Sequence, residues 1–221
     1  MIEAFHFILS LSIIFALVIG IVRFKNIDSS YYPLIYNAAF AFTIEILVQI
    51  FMAGGHINAL EISLNLFSFI DFFLFAWLFH NWGLFSRNRK TFIYLVGGFF
   101  VAWLVTIFIT GGITSPDYLF RIIYSFALIF FSVSTFNKVV VNDRGSIFKN
   151  PKFWICIGII IFYAFFILVC VARYSLFKYH VSRIFRVRLQ EIGTYSNLLV
   201  NLLYAVAILW IPRKKNFTTL F

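Results

Sequence analysis

Two carboxylates, Glu45 and Asp71, lie in the middle of segments that are otherwise strongly apolar. An unpaired charge in hydrocarbon costs ~2.5 kcal/mol or more, so such acids are paired or protonated, and they commonly bind ligands or pass protons. Arg121 lies about a turn inside another apolar segment and is the natural partner for one of these acids or for Glu61. Alternatively, its guanidinium binds a carboxylate or phosphate ligand. We expect one of Glu45 and Asp71 to pair with Arg121 or another polar partner, and the other to be neutral.

Other polar residues in the apolar segments recur at spacings of three and four residues. Residues at these spacings share one face of a helix, which predicts polar faces directed into a bundle and away from lipid. Most of them fall in the predicted outer half of the bundle or near its middle, which indicates an outward-facing pocket. For the neutral members, hydrogen bonding between neighbouring helices is the more common role. The candidate ligand-binding residues are Glu45, Gln49, Glu61, Asn65, Asp71, Arg121, Tyr124, Asn197, Asn201 and Tyr204.

The sequence contains none of the common catalytic signatures. The four histidines lie in separate segments, with no His-x-x-x-His pair to hold a metal. A Gly-x-Ser-x-Gly nucleophile motif and a glycine-rich phosphate loop are also missing. We therefore predict no catalytic residues, no metal site and no cofactor.

The composition is that of a membrane protein. The 221 residues are 62% hydrophobic and only 12% charged, against about 25% charged in a soluble domain. A single globular domain of this length cannot bury so much apolar surface. This excludes a soluble enzyme and a nucleic-acid-binding domain, although the net charge is +10. Two cysteines exclude a disulfide scaffold.

The apolar runs predict an all-α membrane protein, a bundle of seven transmembrane helices in a single domain that covers residues 1–221. Proline opens or closes several runs, where its missing N–H costs nothing. Asn150 supplies an N-cap oxygen for the sixth run, and Thr194 one for the seventh. The predicted helices span about 2–22, 31–53, 59–82, 92–110, 118–141, 152–173 and 193–211.

Basic residues predict the orientation, because cytoplasmic loops carry an excess of lysine and arginine. Twelve bases lie on the side of the C-terminus and six on the other side. The N-terminus is therefore predicted outside and the C-terminus inside.

Five of the six outer bases lie between the sixth and seventh runs. In this connection Phe185, Val187 and Leu189 alternate with two arginines, which predicts a short extended or hairpin segment. Its charge predicts an anion-binding loop for membrane lipid headgroups or an acidic ligand. The candidate anion-binding residues are Lys178, Arg183, Arg186 and Arg188.

Three segments carry a family resemblance: 65–74, 150–155 with Gly158, and 197–204. Over residues 60–211 the chain resembles small seven-helix bacterial integral membrane proteins whose genes often lie near those of sensor histidine kinases. In such proteins a glutamate often stands in the place of Asp71. The resemblance implies a sensory or signalling-accessory role in the bacterial inner membrane, and it identifies no ligand.

Two kinds of function follow from these features. The first is a receptor-like or sensory-accessory protein with an outward-facing polar pocket, which signals through a separate partner at its basic inner face. The alternative is a proton-coupled small-solute transporter or a pore-forming subunit that uses Glu45 and Asp71. Membrane lipids are expected partners and nucleic acid is not; the sequence predicts no oligomeric state.

Overall fold

The computed structural model describes residues 9, 11–85, 89–142, 147–174 and 182–212. These residues form seven α-helices and no strand, as the sequence predicts. Six of the helices are long and apolar enough to cross a membrane, so the chain is an integral membrane protein. The helices are α1 (Ile13–Arg23), α2 (Tyr32–Ala53), α3 (Ile57–Asn81), α4 (Arg89–Ile109), α5 (Tyr118–Asn142), α6 (Pro151–Arg173) and α7 (Arg183–Trp210).

Local signals in the sequence account for most of the helix boundaries. Pro33 lies in the first turn of α2 and Pro151 opens α6, where the Asn150 side chain accepts a hydrogen bond of 3.0 Å from the Lys152 N–H. Gly111 and Gly112 have φ angles of 95° and 110°, which only glycine adopts without strain. The first predicted helix, 2–22, falls partly on residues 1–8 and 10, which lie outside the described part of the chain.

The start of α7 corrects two predictions. The helix begins at Arg183 instead of 193, so the segment around Phe185 is helical and neither extended nor a hairpin. The cap is Ser182, whose hydroxyl accepts a hydrogen bond of 3.2 Å from the Phe185 N–H, and Thr194 lies inside the helix. An alternation of five residues is too short to distinguish a strand from the first turns of a capped helix.

One end of the bundle, named here the Arg23 end, gathers the ends of α1, α3 and α7 and the starts of α2 and α6. The Arg23 guanidinium donates hydrogen bonds to the carbonyls of Ile208 and Leu209, in the last turn of α7, and of Ile211, the residue that follows the helix. The backbone N–H of Asp28 donates to the carbonyl of Pro212 at 3.3 Å. These contacts close the bundle between its first and last helices.

The opposite end is named here the Glu61 end and holds the α2–α3 and α4–α5 connections. Here the Asn65 side-chain amide donates hydrogen bonds of 2.8 Å to the carbonyls of Ile113 and Ser115. Glu61 lies beside Arg121, near the start of α5.

Helix α4 lies at the periphery of the bundle. It packs against α3 and α5, with the rings of Phe72 and Phe99 4.1 Å apart. Tyr94 and Phe108 on α4 are 76% and 87% exposed, as suits side chains that face lipid. The other six helices surround the centre of the bundle.

Candidate functional site

A cavity of about 330 Å³ lies at the centre of the bundle. Its lining residues come from α1, α2, α3, α5, α6 and α7, so every described helix except the peripheral α4 contributes. Seven of the ten residues predicted to bind ligand line this cavity. They are Glu45, Asp71, Arg121, Tyr124, Asn197, Asn201 and Tyr204.

The Asp71 side chain accepts hydrogen bonds from three neighbouring helices. Its side chain is buried, and Oδ1 accepts a hydrogen bond of 2.6 Å from Nδ2 of Asn37 on α2. Oδ2 accepts hydrogen bonds from the hydroxyls of Tyr124 on α5, at 3.3 Å, and of Tyr163 on α6. Within the described residues, therefore, three neutral donors and no base stabilise the Asp71 carboxyl group.

Arg121 forms its ion pair with Glu61, one of the three acids predicted as its partner. Nη2 lies 3.8 Å from Oε2 of Glu61 and donates a hydrogen bond of 3.0 Å to Oδ1 of Asn65. The guanidinium also lies over the ring of Tyr118, 5.5 Å from its centroid. Arg121 thus lines the cavity while its charge is directed to the Glu61 end.

Asn65 has a structural role. Its amide holds the α4–α5 connection, and its Oδ1 accepts from Arg121 and from the backbone N–H of Asp117, the latter at 3.3 Å. The Asp117 carboxylate accepts hydrogen bonds from Thr106 on α4 at 2.7 Å and from the Phe120 N–H at 3.0 Å. Like Glu61 and Gln49, Asn65 is not among the lining residues of the cavity.

The α7 side of the cavity carries Asn197, Asn201 and Tyr204. Asn201 donates a hydrogen bond of 2.8 Å to the Ser12 hydroxyl and so ties α7 to the start of α1. Tyr204 lies against Gly158 of α6, where a Cβ atom would be 2.7 Å from the tyrosine ring. The close approach of α6 and α7 therefore requires glycine at this position.

Sequence reasoning missed the aromatic wall of the cavity. Its members are Phe67, Phe75, Phe162, Tyr163 and Phe166. With 32 phenylalanines distributed over every segment, no pattern separates these rings from those that face lipid. Tyr163 had one usable signal, a phenolic hydroxyl in an apolar segment, because a buried Tyr O–H usually finds a hydrogen-bond partner.

The structure describes only part of the predicted anion-binding loop. Lys178 and the side chain of Arg183 lie outside the described part of the chain. Arg188 forms an exposed ion pair of 3.0 Å with Glu191, the i+3 residue of the same helix. Arg186 lines a groove at the Glu61 end together with Arg173, and anion binding there remains a prediction.

Comparison with protein-family models, curated proteins and solved structures found no match to this chain. Across the described residues, no three His, Cys, Asp or Glu side chains are placed to hold a metal ion. The residues that line the central cavity supply hydrogen-bonding groups, charged groups and aromatic rings.

Proposed function

We propose that this protein is a receptor-like membrane protein that binds a small ligand in the central cavity and signals through a separate partner. The observation that carries the proposal is the buried Asp71 carboxyl group in the wall of a cavity of about 330 Å³. Ligand pockets are typically this large or larger, mostly apolar, and equipped with a few fixed polar groups. The aromatic wall supplies the apolar surface, and Asp71 with its donors supplies the fixed polar group.

The charges of the lining residues favour a ligand with a basic or hydrogen-bond-donating group. Two carboxyl groups, those of Glu45 and Asp71, line the cavity, and the only base among the described lining residues, Arg121, already faces Glu61. Aromatic rings attract a cation that is placed over their faces. We therefore expect a compact amine with an apolar body.

The hydrogen bonds of Asp71 provide a route from ligand binding to helix movement. The carboxyl group on α3 is joined to α2, α5 and α6 by Asn37, Tyr124 and Tyr163. A ligand that binds Asp71 competes with these donors and so changes which helices are joined. The resulting shift would reach the basic Arg23 end, which the charge distribution predicts to face the cytoplasm and a partner with an acidic surface.

A thermal-shift screen of the purified protein in neutral detergent tests the proposal. Small aromatic and aliphatic amines are compared with carboxylic acids of the same size. We expect certain amines, and none of the acids, to raise the Tm of the parent, because ligand binding stabilises the folded state. Asp71→Asn removes the acid from the cavity, whereas Glu191→Gln makes the same chemical change on the surface of α7.

The amines that stabilise the parent should also stabilise Glu191→Gln and fail to stabilise Asp71→Asn. The proposal is wrong if no amine raises the Tm of the parent, or if the Asp71→Asn variant responds as the parent does.

Proton-coupled transport is the second candidate, because Glu45 and Asp71 line one cavity from neighbouring helices. It predicts accumulation of an amine in proteoliposomes under an imposed pH gradient, with loss of uptake in both Glu45→Gln and Asp71→Asn. A receptor binds the amine and leaves it outside the vesicle. Binding and uptake assays with the same amine therefore distinguish a receptor from a transporter.

A further inference from the structure

A second cavity lies at the Arg23 end, where α3 ends and α6 begins, and it is distinct from the central one. Its volume is about 390 Å³, and its polar lining residues are Trp82, Thr135, Lys138, Asn150 and Lys152. Nothing in the proposed function uses this cavity.

Two buried donors in its lining have no acceptor within the described residues: Nε1 of Trp82 and the hydroxyl of Thr135. Helical serines and threonines usually donate to the carbonyl four residues earlier, as Ser68 does to Leu64 at 2.8 Å. Thr135 is 5% exposed and does not form this bond. A buried donor without an acceptor is costly, so acceptor oxygens that a ligand brings to these two groups would stabilise the protein.

The lining of the same cavity carries two lysines. Lys138 is exposed at its rim, and no acid is among the described lining residues. The Lys152 ammonium lies over the Trp82 ring, 5.4 Å from its centroid. The ammonium group of Lys152 therefore lies close to the indole ring whose N–H has no acceptor within the described residues.

We propose that this cavity binds a phosphate group, presented either by an anionic phospholipid headgroup or by a soluble phosphate compound. A phosphate group carries enough acceptor oxygens for the Lys138 and Lys152 ammonium groups, the Thr135 hydroxyl and the Trp82 N–H together. Lysine and tryptophan are also the residues that meet headgroups at the end of a membrane-spanning helix. The unpaired donors distinguish this cavity from an ordinary basic surface.

The indole N–H signals of the protein, labelled with nitrogen-15 at tryptophan, give a direct test by NMR in maltoside detergent and phosphate-free buffer. Trp82→Phe assigns the signal. Inorganic phosphate, short-chain phosphatidylglycerol and a diacylglycerol of the same chain length are titrated separately. The signals of Trp103 and Trp154 serve as internal controls, because their N–H groups already donate to the carbonyls of Asn65 and Phe148.

We expect the Trp82 signal to move in a saturable manner with a phosphate-bearing compound, and the Trp103 and Trp154 signals to stay. If inorganic phosphate moves the Trp82 signal, the phosphate group is sufficient for binding. If only phosphatidylglycerol moves it, the phosphate group that binds is that of a lipid headgroup. No movement with either compound, or equal movement with diacylglycerol, overturns the proposal.

Variants that replace two lysines at once test whether Lys138 and Lys152 bind the phosphate group. Lys138→Gln with Lys152→Gln should weaken binding by about thirtyfold, the effect of two bases near an anionic group. Lys25→Gln with Lys149→Gln removes the same charge from the same end outside the cavity and should leave the affinity unchanged. Thr135→Val, which keeps the shape and removes the hydroxyl, should weaken binding by several-fold. Equal affinities in the two lysine pairs would also overturn the proposal.

Discussion

Asn37 on α2 donates a hydrogen bond of 2.6 Å to Asp71 on α3 in the buried centre of the bundle. Removing this donor should destabilise the protein, because Oδ1 of Asp71 then has no partner among the described residues. We expect Asn37→Ala to lower the free energy of unfolding by ~1–3 kcal/mol, measured by denaturant titration in detergent. Thr43→Ala on the same helix is the control, because its exposed hydroxyl bonds only to the Ala39 carbonyl. Equal losses in the two variants would contradict the role of Asn37.

Gly158 should tolerate no larger side chain. A Cβ atom there would lie 2.7 Å from the Tyr204 ring, so Gly158→Ala must displace the ring or separate α6 from α7. The expected loss of stability is ~1–3 kcal/mol, as for other overpacked sites. Gly98→Ala on α4 has open space around the added methyl group and should be neutral or stabilising by up to ~1 kcal/mol. The difference in Tm between the two variants checks this, and a Gly158→Ala variant as stable as Gly98→Ala would be inconsistent with the close contact.

The Arg121–Glu61 pair should show energetic coupling. Both side chains are largely shielded from solvent, and Arg121 also bonds to Asn65. A double-mutant cycle with Arg121→Gln and Glu61→Gln should give a coupling energy of ~0.5–3 kcal/mol. A cycle with Arg188→Gln and Glu191→Gln is the control, because that pair is exposed and should couple by no more than ~0.5 kcal/mol. Strictly additive losses at Arg121 and Glu61 would show that the two side chains do not interact.

Arg23 should contribute to stability through its bonds to the end of α7. Arg23→Gln removes a charged donor from three carbonyls, and hydrogen bonds of charged groups contribute ~1.5–3 kcal/mol. Lys25→Gln removes an exposed charge two residues away and should have little effect. The measurement is again denaturant unfolding in detergent, and similar stabilities for the two variants would rule out a capping role for Arg23.

Helix number and most helix boundaries could be predicted because apolar length and proline placement are strong local signals. The start of α7 could not be predicted. The Ser182 cap is a single hydrogen bond to the residue three positions later, and the alternation of the segment that follows also fits a strand. Residues that share one face of a helix also need not contact the same part of the bundle, and their spacing does not predict which part each one contacts. Glu61 and Asn65 share a face with Asp71, yet they hold the Glu61 end together while Asp71 lines the cavity.

The peripheral position of α4 could not be predicted from the sequence. A helix that packs on only two neighbours is as apolar as the helices that surround the centre of the bundle. Tyr163 was missed for a related reason. Its only polar atom is the hydroxyl that bonds to Asp71, and the surrounding segment is aromatic and aliphatic throughout.

The most direct test of the central claim is the dissociation constant of a stabilising amine, measured by calorimetry on the parent, on Asp71→Asn and on Glu191→Gln. If Asp71 binds the ligand in the central cavity, Asp71→Asn should weaken binding at least about tenfold, since a hydrogen bond to a charged group contributes ~1.5–3 kcal/mol. Glu191→Gln should bind as the parent does. An unchanged dissociation constant in a folded Asp71→Asn variant would contradict the assignment of this cavity as the ligand site.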